Sequence, residues 1–201
     1  MTKEAANDHP IHELLVKRWS PYAFDSRPVS KADLRSLFEA ARWAASSYNE
    51  QPWHYLVATQ EEPEAFAQLL SCLVEGNQAW AQAAPVLAVS VARLTLTLNG
   101  KPNKAALHDL GLAAGNLTVE ATARGLAVHQ MIGILPDRAR ELYGIPAGYE
   151  AVTGLAIGYP GDPAHLPEKL RPRDLAPRTR KPLREWIFTG QWGRARWGEG
   201  L

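Results

Sequence analysis

The sequence predicts an α+β domain in which a central sheet lies between layers of helices (α/β/α). Amphipathic helices precede the first strand, and the later strands alternate with helices along the chain. A nearly continuous apolar run from Pro85 to Val91 is typical of a strand that is buried on both faces. The 201 residues are enough for one domain with a sizeable core.

The composition excludes several classes of protein. With 46% hydrophobic residues and a net charge of +1, the chain fits a globular protein without a field that would grip nucleic acid or an anionic membrane. Cys72 is the only cysteine, which excludes an internal disulfide and a cysteine-based zinc site and suits a reducing cytoplasm. No apolar run approaches the roughly 20 residues that span a bilayer. We therefore expect a cytoplasmic protein with no nucleic-acid or membrane partner.

The first third of the chain is predicted to form two helices and a strand. A polar segment ending in Pro10 predicts a helix over 10–17. Ser30 and Asp33 have the spacing of a capping box, and apolar residues then recur at helical spacing up to position 45. The segment 53–59 is rich in aromatic and β-preferring residues and predicts a strand.

Strands and helices are predicted to alternate in the middle of the chain. The predicted elements are a helix over 63–74 that Gly76 ends, a strand over 85–91, an irregular segment over 94–102, a helix over 104–124 that Gly125 ends, a strand over 126–131, a helix over 136–143 that Gly144 ends, and a strand over 151–157.

The long helix over 104–124 has two features of interest. Its apolar residues recur at helical spacing and predict one buried stripe: Leu107, Leu110, Ala114, Leu117 and Ala121. Its small residues allow another helix to approach closely: Gly111, Ala113 and Gly115. We expect this helix to contact a partner subunit.

The two ends of the chain differ in composition from the middle. Residues 1–9 are polar and predict a disordered leader, so that the domain extends over 10–183. From Pro163 onward, prolines and charges without periodicity predict an extended arm outside the core. The tail 184–201 carries Trp186, Trp192 and Trp197, which need a surface to cover and would find one on a partner subunit.

The most informative stretch is the polar loop between the second helix and the first strand. Two hydroxyls and two amides lie within six residues, so the loop offers several donors and acceptors to one planar, polar partner. These groups belong to Ser46, Ser47, Asn49 and Gln51, and Pro52 fixes the chain as it enters the strand. The alternative is that Ser, Asn and Pro simply end a helix.

A second polar pair precedes this loop. Arg18 and Ser20 are two residues apart on an extended segment, so they point to the same face, which suits a phosphate. Alternatively, they are a surface arginine and a turn serine. A basic cluster recurs over 178–181.

Other catalytic patterns are missing from the sequence. No Gly-x-Gly-x-x-Gly follows a predicted strand, and no phosphate loop ending in Gly-Lys-Ser/Thr occurs. His54, His108 and His129 are not paired with a nucleophile, which favours core or surface roles. Asp109 and Glu120 read as ordinary polar helix positions, and Cys72 as a core residue.

Together these segments resemble the FMN-dependent nitroreductase family. The family opens with Arg-x-Ser-x-(Arg/Lys)-x-Phe, which holds the FMN phosphate and ribityl chain. Arg18, Ser20 and Phe24 match this pattern, whereas Tyr22 replaces the second basic residue. The resemblance therefore implies that phosphate neutralisation depends more on Arg18 and on the later arginines.

The polar loop carries the most specific match to the family. The family pattern is Pro-Ser-x-x-Asn-x-Gln-Pro-Trp, and Ala45 replaces its first proline. The matching residues are Ser46, Asn49, Gln51, Pro52 and Trp53. In the family, this loop reaches a flavin that is bound mainly by the other subunit.

Three weaker matches complete the resemblance. Asn77 resembles the amide that contacts the polar edge of the isoalloxazine ring. Ile132 and Gly133 resemble the segment that passes over the flavin face. Arg178 and Arg180 resemble the basic pair that returns to the phosphate. The cofactor-binding residues implied by the resemblance are Arg18, Trp19, Ser20, Tyr22, Ser46, Ser47, Asn49, Gln51, Asn77, Ile132, Gly133, Arg178 and Arg180.

The resemblance also implies an architecture and a reaction. The sheet would be mostly antiparallel, and the chain would form a homodimer that exchanges its C-terminal arms. NADH or NADPH would reduce FMN in a ping-pong cycle, and a small electron-poor acceptor such as a nitroaromatic or a quinone would then be reduced. No catalytic side chain and no metal is implied, because the flavin carries the chemistry.

Two alternatives remain at this point. The same fold supports reductive dehalogenation, azole or enoyl oxidation and flavin fragmentation, and the segment 94–102 carries no recognisable substrate signature. The chain could also be a flavin-binding or sensory module without turnover, which the replacement at Tyr22 mildly favours.

Overall fold

The computed structural model describes residues 3–194. The helices in this part of the chain are α1 (Glu13–Lys17), α2 (Lys31–Arg42), α3 (Pro63–Leu70), α4 (Glu75–Ala81), α5 (Ala106–Ala123), α6 (Pro136–Tyr143) and α7 (Arg171–Leu175). The strands are β1 (Trp53–Thr59), β2 (Val86–Arg93), β3 (Ala127–Met131) and β4 (Tyr149–Gly158).

The four strands form one sheet in the order β1-β2-β4-β3, and each neighbouring pair is antiparallel. The apolar strand β2 lies inside the sheet between β1 and β4, and all its residues except Arg93 are buried. The sequence predicts this strand correctly because a strand covered on both faces needs a nearly continuous apolar run, here broken only by the buried Ser90. The predicted α+β fold with a mostly antiparallel sheet is confirmed.

Helices cover both faces of the sheet, as expected for α/β/α layers. Successive residues of β2 point to opposite faces, so Val86 and Ala88 join one core cluster while Leu87 and Val89 join the other. The first cluster lies against α2 and α5, and the second against α3, α4 and α6.

Helix α2 begins where the capping box predicts. The Oγ atom of Ser30 accepts a hydrogen bond from the backbone N–H of Asp33 at 3.0 Å. The helix ends at Arg42, three residues before the predicted end, so the segment that joins the helix to the polar loop is longer than predicted.

One predicted helix is in fact two. The prediction of a single helix ended by Gly76 is wrong, because α3 ends at Leu70 and Gly76 lies inside α4. The cause is tertiary: Leu73 forms an isolated β-bridge with Ile134, and the Leu135 N–H donates to the carbonyl of Cys72 at 2.7 Å. These bonds hold the chain extended between the two helices and place Asn77 within α4.

Helix α5 differs from its predicted stripe at one position. Leu107 is 53% exposed, whereas Leu110, Ala114, Leu117 and Ala121 are buried as predicted. Ala113 is buried in the core, so the small residues on the outer face are Gly111 and Gly115, where an added Cβ would meet nothing within 4 Å.

The segment after Pro163 is only partly the extended arm that the sequence predicts. It contains α7, and Leu166 and Asp174 are buried. The Asp174 carboxylate accepts a hydrogen bond from the Tyr22 N–H at 2.6 Å, which ties this segment to the core. Trp197 lies outside the described residues.

The predicted leader is described from residue 3. The Ala5 N–H donates to the carbonyl of Val16 at 2.9 Å, and the Lys3 ammonium lies 5.0 Å from the ring centroid of Trp19. Lys3 and Ala5 therefore pack beside the C-terminal end of α1.

Candidate flavin site

A cleft of about 850 Å³ lies where the N-terminal segment meets the last part of the chain. Residues 5–9 line one side of it, and Arg18 and residues 178–181 supply its positive charge. Ile11, Leu15, Leu183 and Trp186 provide apolar walls. We call it the arginine cleft. It brings Arg18 together with Arg178 and Arg180, which lie about 160 residues later in the sequence.

The charges in the arginine cleft are poorly balanced. Burial lowers the pKa of Arg18, and the nearby charges of Arg178 and Arg180 lower it further. None of the ion pairs found within residues 3–194 involves these three arginines. The Nη1 atom of Arg18 donates to the Oγ of Ser20 at 3.1 Å, so the predicted pair is in contact, and Ser20 lies beside the residues that line the cleft rather than among them. Such a cluster of guanidinium groups and a hydroxyl suits an anion with several oxygens.

The Arg178 guanidinium forms hydrogen bonds with backbone carbonyls of the N-terminal segment. Its Nη1 donates to the carbonyls of Lys3, at 2.9 Å, and of Val16, near the end of α1. Its Nε is buried without a partner among the described residues. Arg178 therefore has a structural role that the sequence did not predict.

The other residues predicted beside the phosphate are arranged differently. Arg180 is exposed, and its Nη1 donates to the carbonyl of Thr179 at 2.7 Å. Trp19 is half-buried under Lys3.

Tyr22 does not take the place of a basic residue. Its ring packs edge-on against Trp80 and His129, with centroid distances of 5.1 and 4.6 Å. Within the described chain it is not among the residues that line the arginine cleft. The Tyr22 ring is an aromatic core contact, which leaves the charge at this end of the molecule to Arg18 and the later arginines.

The polar loop has an unusual backbone. Three of its residues have φ angles in the left-handed region, which residues other than glycine rarely adopt. They are Tyr48, Asn49 and Gln51, with φ of 53°, 55° and 47°. This conformation costs about 1–2 kcal/mol for residues such as Tyr48 and Gln51, and less for Asn49, whose short polar side chain tolerates it. Strain of this kind persists only where surrounding contacts hold it, and it is common at ligand sites. Part of the support is internal, because the Oγ of Ser46 accepts a hydrogen bond from the Gln51 N–H at 3.1 Å.

Two carboxylates that the sequence analysis missed also hold this loop. The Oδ2 of Asp109, a buried residue of α5, accepts a hydrogen bond from the Ser47 N–H at 3.0 Å. The carboxylate of Glu50, in the loop itself, is paired with Arg93 at 2.6 Å. Asp109 reads as an ordinary polar helix position in the sequence, and no pattern marks Glu50 as a support of the loop. The signal available for Glu50 was its place inside the most specific motif.

Asn77 and Gly133, both predicted to contact the flavin, contact each other. The Nδ2 of Asn77 donates to the carbonyl of Gly133 at 2.9 Å, and the Val74 N–H donates to the same carbonyl at 3.1 Å. An added Cβ on Gly133 would lie 2.5 Å from that Nδ2, so only glycine fits this approach. Ile132, beside it, is 80% exposed.

The predicted site residues thus form three local groups. These are the arginine cleft, the polar loop with its two carboxylates, and the Asn77–Gly133 contact. None of the hydrogen bonds found within residues 3–194 joins one group directly to another. A ligand that used all three groups would have to bridge them.

No helix between residues 3 and 194 is both long and apolar enough to cross a membrane. The same residues contain no group of three or more His, Cys, Asp or Glu side chains that could hold a metal ion.

Comparison with known proteins supplies the context for these groups. The family model described as "Nitroreductase family" matches residues 15–159. The crystal structure of an oxidoreductase containing FMN is 35% identical, with a TM-score of 0.87, and the match covers 92% of this chain and 94% of that one.

Two relatives are similar over much of their sequence. An uncharacterized 15.4 kDa protein of Mycolicibacterium smegmatis is 35% identical over 133 residues, which are 65% of this chain and 86% of that protein. An NADH dehydrogenase of Thermus thermophilus is 28% identical over 184 residues, covering 75% of this chain and 88% of that protein. Because the family match spans well over half of its residues, the chain belongs to the nitroreductase family.

Proposed function

We propose that this protein is an FMN-dependent oxidoreductase that transfers electrons from NADH or NADPH to an electron-poor acceptor such as a nitroaromatic or a quinone. The observation that carries the proposal is the arginine cleft, in which three guanidinium groups lack a carboxylate partner among the described residues. Two relatives support it: the similar structure contains FMN, and the relative from Thermus thermophilus is an NADH dehydrogenase.

The residues of the arginine cleft fit the phosphate of FMN. Arg18 and Ser20 lie side by side, and the buried, unpartnered Nε of Arg178 has a hydrogen-bond donor to spare. An isolated buried donor is costly, so a phosphate oxygen there would remove a penalty as well as add an attraction. We assign the phosphate to Arg18, Ser20, Arg178 and Arg180.

The other two groups fit the flavin ring and the ribityl chain. In the polar loop, Ser46, Ser47, Asn49 and Gln51 carry the polar groups that we assign to this part of the cofactor. The Nδ2 of Asn77 is already used by Gly133, so its side-chain oxygen is left to accept a hydrogen bond from the ring. Ile132 is exposed beside Gly133 and offers an apolar surface to a ring face.

The bound flavin would supply the redox chemistry, accepting a hydride from the nicotinamide and reducing the acceptor in a second half-reaction. The protein's own part is to hold the phosphate, satisfy the polar edge of the ring and leave one ring face open. The half-buried His129 fits no proton-transfer role, because its Nδ1 lies 2.8 Å from the carbonyl of Pro21 and its ring packs against Tyr22 and Trp80.

We further propose a cytoplasmic homodimer. The outer face of α5 carries exposed Leu107 and Leu112 beside Gly111 and Gly115, a combination that allows a second helix to pack closely. Trp186 and Trp192 are 58% and 93% exposed on the C-terminal arm. The outer edge of β1 is unpaired within the described sheet, so an exchanged arm would have a surface to cover.

The test begins with the purified full-length protein. We expect a yellow preparation that releases FMN on heating, close to one per chain, and that oxidises NADH or NADPH when a quinone or a nitroaromatic is added without oxygen. A colourless protein that cannot be reconstituted with FMN would overturn the proposal. Bound FMN without nicotinamide oxidation would leave a flavin-binding module and would overturn the enzymatic part.

A further inference from the structure

Among residues 48–51 of the polar loop, only one has a relaxed backbone, and its side chain bonds to residues outside the loop. Tyr48, Asn49 and Gln51 are left-handed, whereas Glu50 between them is right-handed, with φ of −67°. A loop with three strained residues in four relaxes unless contacts from elsewhere hold it.

Glu50 supplies those contacts through a nearly buried carboxylate. Its side chain is 8% exposed and pairs with the Nη2 of Arg93 at 2.6 Å, and the same Nη2 donates to the Glu50 carbonyl at 2.9 Å. The carboxylate also accepts hydrogen bonds from the N–H of Thr97, at 2.9 Å, and from its Oγ1, at 2.7 Å. These bonds lower the pKa of Glu50, chiefly through Thr97 and then through Arg93, so the group stays ionised at neutral pH.

Thr97 belongs to a small hairpin, residues 94–103, between β2 and α5. The hairpin is closed by the bridge between Thr95 and Pro102 and by the Leu96 N–H, which donates to the carbonyl of Lys101 at 2.8 Å. Through its carboxylate, Glu50 is therefore bonded to the end of β2 and to the 94–103 hairpin at once.

We propose that Glu50 is a positioning residue that locks the polar loop to the 94–103 hairpin and so holds the loop's polar groups ready for the flavin ring. The inference rests on the proposed function for its ligand, but the lock itself is a property of the chain alone. Glu50 acts on the ring and ribityl end of the ligand, whereas the arginine cleft acts on the phosphate.

Flavin binding separates these two roles, because riboflavin has the ring and the ribityl chain of FMN but no phosphate. We expect Glu50→Ala to weaken FMN and riboflavin by the same factor, about tenfold or more for a charge-assisted contact. Glu50→Gln keeps one acceptor oxygen for Thr97 and should lose less. Arg18→Gln should weaken FMN alone. The matched control is Glu64→Gln, an exposed carboxylate of α3, which should change neither affinity.

Hydrogen exchange of the flavin-free protein tests the lock without a ligand. In Glu50→Ala we expect faster exchange at residues 46–51 and 94–103 together, with β2 and β4 unchanged. Faster exchange in the polar loop alone, or through the whole domain, would overturn the lock. Equal FMN and riboflavin affinities in wild type and Glu50→Ala would overturn the positioning role. If the wild type bound neither flavin, the proposed function and the positioning role would both fail, and exchange would still decide whether Glu50 couples the two segments.

Discussion

The Oδ2 atom of Asp109 accepts a hydrogen bond from the backbone N–H of Ser47 at 3.0 Å, which fixes the middle of the polar loop to the first turn of the longest helix. Asp109 is only 2% exposed, so this carboxylate is buried in order to make the contact. A buried carboxylate is costly unless it is hydrogen-bonded. The polar loop is therefore hydrogen-bonded to α5, the helix whose outer face we propose as the dimer contact.

We expect Asp109→Ala to lower the free energy of unfolding by about 1.5–3 kcal/mol, the range for hydrogen bonds to charged groups. The Ser47 N–H would lose its partner and the strained loop would lose one support. Asp109→Asn keeps an acceptor oxygen and should lose less. Urea unfolding monitored by tryptophan fluorescence measures the change. Lys104→Ala, an exposed substitution just before the same helix, is the control, and equal stability of the two alanine variants would contradict the prediction.

Gly133→Ala should disturb the contact with Asn77. The added Cβ would lie 2.5 Å from Asn77 Nδ2 and 2.9 Å from Val74 Cγ2, so one of these groups must move. We expect a loss of about 1–3 kcal/mol in the free energy of unfolding, as for other overpacked sites. Gly76→Ala is the matched control, because Gly76 lies inside α4 with open space around it and should gain about 0.5–1 kcal/mol. A Gly133→Ala protein as stable as the wild type would show that the contact adapts freely.

The lowered pKa of His129 predicts that the free energy of unfolding depends on pH. Burial lowers its pKa below the ordinary value of 6.5, although the carbonyl of Pro21 and the charge of Asp174 oppose the shift. The unfolded chain therefore binds a proton more readily, so the stability present above pH 6.5 is lost progressively as the pH falls below that value.

His129→Phe keeps a ring against Tyr22 and Trp80 but cannot be protonated. Unfolding free energies measured between pH 8 and pH 5 should fall less steeply in this variant than in the wild type. His165→Gln removes an exposed histidine and should keep the wild-type slope. Identical slopes in wild type and His129→Phe would assign the pH dependence to other groups.

Local sequence signals predicted much of the fold. The capping box at Ser30 and Asp33 specifies a helix start through atoms three residues apart, and the structure contains that bond. The apolar run of β2 likewise specifies burial on both faces of a strand. The cap depends on two residues that are close in sequence, and the burial of β2 depends on the composition of the whole strand. A local sequence pattern is therefore sufficient to predict both features.

The remaining features depend on partners far away in sequence. Asn77 lies in a helix because Leu73 pairs with Ile134, about 60 residues later, and no local pattern marks that bridge. Likewise, no local pattern marks Glu50 and Asp109 as supports of the loop, because their partners Thr97 and Ser47 lie 47 and 62 residues away in sequence. The motif residues could thus be predicted, whereas the residues that hold the motif in place could not.

The outer face of α5 gives the sharpest test of the proposed homodimer. Leu112→Glu places a charge among Leu107, Gly111 and Gly115, where a close helix contact would bury it without a partner. We expect the wild type to have twice the mass of one chain by light scattering and Leu112→Glu to have the mass of one chain. Leu142→Glu is the matched control, because Leu142 on α6 is 38% exposed against 40% for Leu112, and it should leave the dimer intact. A wild type that is monomeric, or a Leu112→Glu protein that stays dimeric, would remove α5 from the interface.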